Sequence, residues 1–165
     1  MFIFQKIDNL EEPEARKALT EPLKRTGRSF DGELVNRIIQ ETRGYPFFLQ
    51  FYGYFLYETS TDPEVNSKDL DAFRKKLVKM LDESFFEDRF NLAGPKEKRM
   101  LIAMAGVVEE DKAAASSIQR KAGVSHAQMQ SFFSQLTDKG LIYRAERGYY
   151  SFSIPLFKEF LLRQT

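Results

Sequence analysis

Near its first third the chain reads Thr42-Arg43-Gly44-Tyr45-Pro46-Phe47-Phe48-Leu49-Gln50, and its glycine and proline set a boundary between two helices. Glycine closes a helix from the left-handed conformation, where other residues are strained. Proline suits the first turn of a helix, because its ring fixes φ and its missing N–H would be unpaired there anyway. One helix therefore ends near Arg43 and another begins near Pro46. The second, over 46–58, carries Phe47, Phe48, Leu49, Phe51, Tyr52, Tyr54, Phe55, Leu56 and Tyr57. It is apolar nearly all round, which predicts a central, buried helix.

Working back from this boundary, a helix is predicted from Pro13 to Arg25, with Ala15, Ala18 and Leu19 inward. Pro22 kinks or restarts it, since a mid-helix proline removes a hydrogen bond. Phe30-Asp31 opens the next helix with Asp31 as N-cap, and Leu34, Val35, Ile38 and Ile39 form its apolar stripe. The isolated Phe2-Ile3-Phe4 reads as the end of a segment belonging to something upstream. Working forward, Thr59 to Pro63 is a loop. Ser67 caps a long helix to about Phe90, with Leu70, Phe73, Leu77, Met80 or Leu81, and Phe85 at helical spacing. Residues 1–90 thus read as a four-helix unit.

Asn91-Leu92-Ala93-Gly94-Pro95 separates this unit from a second one over residues 91–165. Pro95 starts a helix with Met100, Leu101 and Met104 inward. A short helix from Ala114 to Lys121 is closed by Gly123. Ser125 and Gln128 match a capping box, followed by Met129, Phe132, Phe133 and Leu136 on one face and ended by Lys139-Gly140. Leu141-Ile142-Tyr143 and the alternating Tyr149 to Ile154 are strands joined by the turn Glu146-Arg147-Gly148. Pro155 starts a last helix with Leu156, Phe157, Phe160 and Leu161 inward. Two short helices followed by a hairpin describe a winged helix-turn-helix. The fold class is mainly α: a helical bundle, then a winged helix with a short β-hairpin.

The 165 residues, 42% of them hydrophobic, are enough for a packed core. With no cysteine there is no disulfide and no cysteine-based metal site or nucleophile, which suits a cytoplasmic protein. No apolar run reaches membrane-spanning length, and the N-terminus lacks a signal peptide's charged start and apolar stretch. No membrane partner is expected. Charge is uneven: residues 92–165 carry 11 Lys/Arg and 7 Asp/Glu, or +4, and residues 1–91 carry 14 and 17, or −3. The second unit is the one suited to an anion, although +4 is a weak field for nucleic acid.

Several motifs recur in a familiar order. They are Glu14-Ala15 with Glu21-Pro22, the Thr42 to Gln50 run, Leu81-Asp82, and Phe85-Phe86 before Arg89. Lys98-Arg99 before Ala103-Met104-Ala105, Lys139-Gly140-Leu141-Ile142 and Ser153-Ile154-Pro155-Leu156-Phe157 complete them. In this order and spacing the chain resembles the C-terminal half of a bacterial or archaeal P-loop ATPase of the AAA+/STAND kind. Those proteins place a helical lid and then a winged helix after the nucleotide-binding core. The resemblance implies that the four-helix unit is lid-like. It further implies that Arg43, Gly44, Tyr45 and Pro46 lie next to a nucleotide, with the proline near the adenine. ATP and Mg would be cofactors of the longer protein. The chain has no Gly-x-x-x-x-Gly-Lys-Ser/Thr phosphate loop, so it is expected to be a fragment with no catalytic residue of its own, whose first partner is the missing core. Phe47 and Phe48 occupy the positions where many such lids carry a phosphate-sensing arginine.

On the residues alone, Gly44-Tyr45-Pro46 is equally a plain helix-to-helix turn. The helix from Ser125 to Lys139 is where a winged helix reads DNA. Its exposed Ser125, His126, Gln128, Gln130 and Gln135 suit base edges, and Lys139, with Arg120, Lys121, Arg144 and Arg147 around it, suits phosphates. A protein-facing winged helix fits the same residues. The function expected is a regulatory portion coupling nucleotide state to a DNA or protein partner, with a stand-alone DNA-binding regulator as the alternative. His126, the single histidine, has no second ligand at metal-binding spacing, and Glu109-Glu110-Asp111 reads as a solvated loop.

Overall fold

Pro13 occupies the first turn of helix α1 (Glu12–Thr20), and Pro22 stops it. A proline ring cannot continue the α ladder, so the chain tightens into a 3-10 turn over Glu21–Arg25. The expected kink is thus a change of helix type. The computed structural model describes residues 9–164, and Phe2-Ile3-Phe4 lies outside the described residues. The protein is mainly helical with two small sheets, in two compact units that divide between Leu81 and Asp82. Among the described residues no helix is long and apolar enough to cross a membrane.

In the first unit, strand β1 (Ser29–Phe30) precedes α2 (Gly32–Thr42), whose N-cap is Asp31 as expected: Leu34 N–H donates to its carboxylate at 2.6 Å. Helix α3 (Pro46–Thr59) follows, then strand β2 (Glu64–Val65) and helix α4 (Ser67–Leu81). The loop before α4 holds a strand the sequence does not announce. Glu64 and Val65 pair in parallel with Ser29 and Phe30, a ladder too short to leave a two-residue period. Arg28 closes this corner. Its guanidinium donates to the carbonyls of Tyr57 (2.5 Å), Ser60 (2.7 Å) and Asp62 (3.1 and 3.2 Å) and lies 4.7 Å over the Tyr57 ring.

Leu34, Val35 and Ile38 of α2 are buried with Leu19, Phe48, Leu49, Tyr52, Phe55, Leu56, Leu70 and Leu77. Helix α3 is not buried all round. Phe47 is 39% and Tyr54 68% exposed, because an all-apolar helix does not say which face meets the core. The cap of α4 is Asn66 rather than Ser67. Asn66 Oδ1 accepts from Lys68 N–H and Asp69 Oδ2 accepts from Asn66 N–H, both at 2.9 Å. This is a reciprocal box built one residue earlier.

The second unit opens on a π-helical turn, Asp82–Phe86, so the long helix expected to run to Phe90 is not regular throughout. Helices α5 (Glu87–Asn91) and α6 (Pro95–Ala105) come next. Strand β3 (Ala113–Ala114), α7 (Ala115–Ala122), α8 (His126–Asp138), β4 (Ile142–Glu146), β5 (Tyr149–Phe152) and α9 (Phe157–Leu162) complete the unit. The sheet order is β3-β5-β4, antiparallel throughout. Both ends of the π turn are anchored on the last helix. Arg163 donates to Asp82 at 2.6 and 3.0 Å, and Phe86 stacks on Phe157 and Phe160. That helix starts later than Pro155 suggests. Leu156 sits at φ 64°, and the helix begins at Phe157. Leu156 is therefore only half-buried, whereas Phe157, Phe160 and Leu161 are core.

Candidate functional site

The Thr42–Gln50 boundary is built as a double left-handed turn. Arg43 has φ 52° and Gly44 φ 71°. Thr42 is fully buried, its hydroxyl donating to the Ile38 carbonyl at 2.7 Å, and Tyr45 N–H donates to the Thr42 carbonyl at 2.9 Å. Gly44 is required for a second reason. Leu10 N–H donates to its carbonyl at 2.9 Å, and a β-carbon at Gly44 would stand 2.2 Å from the Leu10 carbonyl oxygen. Arg43 is exposed, and Tyr45 and Pro46 are half-buried, the Tyr45 ring 4.9 Å from that of Phe48. All four candidate residues thus share one rigid turn, with Phe47 on an exposed face of α3 beside it.

Behind this turn α2 ends in a charge network. Arg74 donates to both oxygens of Glu41 at 2.6 and 2.7 Å, Arg37 to Glu41 at 3.2 Å and to Asp71 at 2.5 Å, and the Tyr52 hydroxyl lies 3.3 Å from Glu41. Burial pushes the Glu41 carboxyl up, but the Arg74 and Arg37 guanidiniums outweigh it and hold it below its ordinary value.

In the second unit the candidates are engaged to different degrees. Ser125 and Gln128 are engaged in the capping box of α8: Gln128 N–H donates to Ser125 Oγ at 3.3 Å and Ser125 N–H to Gln128 Oε1 at 3.0 Å. Gln135 donates to Ser131 at 3.0 Å. His126 and Gln130 are exposed. Lys139 is removed from the outward set. Its ammonium sits on both oxygens of Glu97, at 2.6 and 2.7 Å, and Glu97 is 5% exposed. Burial would raise the Glu97 carboxyl, but Lys139 and the Gly94 N–H hold it below its ordinary value.

Arg120 and Lys121 end α7 and line an open cleft of about 720 Å³ with Gly106, Val107, Glu109, Glu110, Lys112, Ala114, Ser117 and Tyr149. Its charge is mixed, and Lys112 is tied to Glu146. Arg144 and Arg147 are exposed on the β4–β5 hairpin, whose tip is fixed to the start of α7 where Ala115 N–H donates to the Gly148 carbonyl at 2.8 Å. The acidic Glu109-Glu110-Asp111 loop is exposed, and among the described residues no group of three His, Cys, Asp or Glu could hold a metal ion.

Two structural anchors, Glu97 and Arg28, are absent from the motifs singled out above, and only one of them carries a local signal. Glu97 was legible, since Gly94-Pro95-Lys96-Glu97 places an acid three residues after a helix N-cap. Arg28 was not, because its carbonyl partners lie 29 to 34 residues away. A family model described as a domain of unknown function (DUF8462) matches residues 83–161. No curated protein matches the chain.

Proposed function

We propose that this chain is the lid and winged-helix portion of a P-loop ATPase of the AAA+/STAND kind. In this reading the first unit closes on a nucleotide held by a separate core, and the second passes the nucleotide state to a protein partner. The winged-helix assignment rests on the order α6, β3, α7, α8, β4, β5, on the antiparallel β3-β5-β4 sheet, and on the tight Gly123 turn (φ 65°) between α7 and α8. The lid assignment rests on the Arg43 to Pro46 turn. It offers the half-buried Tyr45 and Pro46 as a firm apolar edge for a base. Those residues fit the rim of a nucleotide and nothing more: the chain has no phosphate loop, so ATP and Mg would be held elsewhere.

The observation that favours a protein over DNA on the second unit is the Lys139–Glu97 pair. It takes the one basic residue of the Ser125 to Lys139 segment out of play, leaving amides, hydroxyls and an imidazole on its outward face. Phosphate neutralisation supplies most of the affinity of a DNA reader, and a helix without free cations provides little of it. The nucleotide arm is tested in a polypeptide extended upstream through a phosphate-loop domain. There Tyr45→Ala or Pro46→Ala should weaken binding of a fluorescent ATP analogue by roughly three- to tenfold, about 1 kcal/mol. Unchanged affinity would remove the turn from the nucleotide.

A second reading, a stand-alone DNA-binding regulator, is favoured by the exposed Arg120, Lys121, Arg144 and Arg147. It requires that neutralising these four lower duplex affinity at least about tenfold at low salt. The first reading expects a change within about twofold for the same variant, because those groups would not be the phosphate contacts.

A further inference from the structure

The cleft beside α7 brings both signs of charge together without pairing them. It lies wholly within the second unit. Ser117, Arg120 and Lys121 reach it from one face of α7, at i, i+3 and i+4. Glu109 and Glu110 reach it from the turn before β3. All four charged residues are exposed, and among the described residues none of them makes an ion pair. Lys112, the remaining charge of the lining, is already engaged. Its ammonium donates to Glu146, lies 5.2 Å from the centre of the Tyr149 ring and feels Glu110 more weakly. Glu110 stands at φ 55°, a left-handed backbone whose cost a glycine would not carry. Gly106, by contrast, has an ordinary φ of −74°, and a β-carbon there would meet nothing closer than 3.6 Å. The fold does not demand glycine at that position, and the bare backbone leaves room in the cleft at the end of α6.

We infer that this cleft docks an extended segment of a protein partner, one that sets an acidic side chain on Arg120 and Lys121 and a basic side chain on Glu109 and Glu110. The inference rests on the protein-facing reading of the second unit and is independent of the nucleotide arm. Charge complementarity selects the occupant. A polyanion, whether duplex DNA or an acidic tail, would press like charges against Glu109 and Glu110, which is costly at an interface. A purely basic segment would meet the same penalty at Arg120 and Lys121. Only a chain carrying both signs satisfies both sets. Shape argues against a small molecule, which is normally enclosed over most of its surface, whereas this cleft is open and lets a chain pass through. Arg120 and Tyr149 are of the residue types that anchor protein interfaces, and the other charges supply a polar rim.

The test uses the full chain as bait for a phage-displayed random library of peptides about 12 residues long. Enriched peptides should carry at least one acidic and one basic residue. Synthesised with a fluorescein label, they should bind R120E/K121E and E109K/E110K at least about tenfold more weakly than wild type. Replacing the acidic residue of a selected peptide by lysine should restore its binding to R120E/K121E. The substituted sites are exposed, so both variants should keep the wild-type circular dichroism spectrum and unfolding midpoint. Enrichment of no peptide, or of peptides lacking either sign, would overturn the inference. So would selected peptides that bind both variants as tightly as wild type, which would leave the protein-facing reading standing and place the contact on another surface. Binding of a labelled duplex of about 30 base pairs that R120E/K121E abolishes, with no peptide enriched, would overturn both in favour of the DNA-binding regulator.

Discussion

Replacing Gly44 by alanine should cost more than the left-handed backbone alone explains. A non-glycine residue in that conformation costs about 1–2 kcal/mol. At Gly44 the added methyl would also stand 2.2 Å from the Leu10 carbonyl oxygen, so backbone must move. Gly140, at φ 69°, has nothing within 4 Å of its β-carbon position and isolates the first term. Urea unfolding of both variants should show Gly44→Ala destabilised by at least about 2 kcal/mol and Gly140→Ala by about 1 kcal/mol. Equal losses would mean that the Leu10 contact relaxes freely. The need for glycine at a helix end was legible from Gly-Tyr-Pro. The approach of Leu10 was not, because a contact between residues 34 positions apart leaves no local pattern. Arg28 is similar: Arg28→Ala should cost about 2–3 kcal/mol, since it orphans carbonyls at the end of α3, and Arg28→Lys should not restore them, because one ammonium cannot reach all three.

Among the helices and strands, caps and stripes were readable and the long-range pairings were not. Asp31, the Ser125–Gln128 box and the Met129, Phe133, Leu136 face follow from spacing. The strands β1, β2 and β3 are each two residues long and pair with distant partners. Their register is fixed by tertiary packing, not by any alternation of their own. The Glu97–Lys139 pair ties the start of α6 to the end of α8. Glu97→Gln leaves the half-buried Lys139 ammonium without its anion and should cost about 1–2 kcal/mol. Its pH signature has a definite sign. The folded carboxyl of Glu97 lies below its ordinary 4.5, as does that of Glu41. Their stabilisation is therefore fully present above about pH 4.5 and is lost as the pH falls through the lower folded values. Unfolding free energies measured between about pH 6 and 3 should decline less steeply for Glu97→Gln than for wild type. Parallel curves would show that Lys139 does not hold the charge.

For the whole molecule, the helical character was visible in the sequence, but the division was not: the chain divides between Leu81 and Asp82, inside a run of helix without Pro or Gly, and not at the expected Asn91–Pro95 segment. The surfaces were not legible either. Helix α3 was expected to be buried all round, but Phe47 and Tyr54 are exposed, with the half-buried Phe51 one turn beyond Phe47. An exposed aromatic strip beside the Tyr45-Pro46 turn is what a lid that meets another domain requires. Phe47→Ser with Tyr54→Ser should leave the unfolding midpoint within a few degrees, because exposed positions contribute little. The same pair should weaken association with a phosphate-loop domain by about tenfold, 1.4 kcal/mol. A large loss of stability without a loss of association would place the strip inside the fold's own packing. The central claim, that this chain works on a nucleotide held by a P-loop core, is tested most directly by reading the coding DNA upstream of Met1. The expected result is an uninterrupted frame encoding Gly-x-x-x-x-Gly-Lys-Ser/Thr within one domain length of Met1. An in-frame stop codon before any such motif would contradict it.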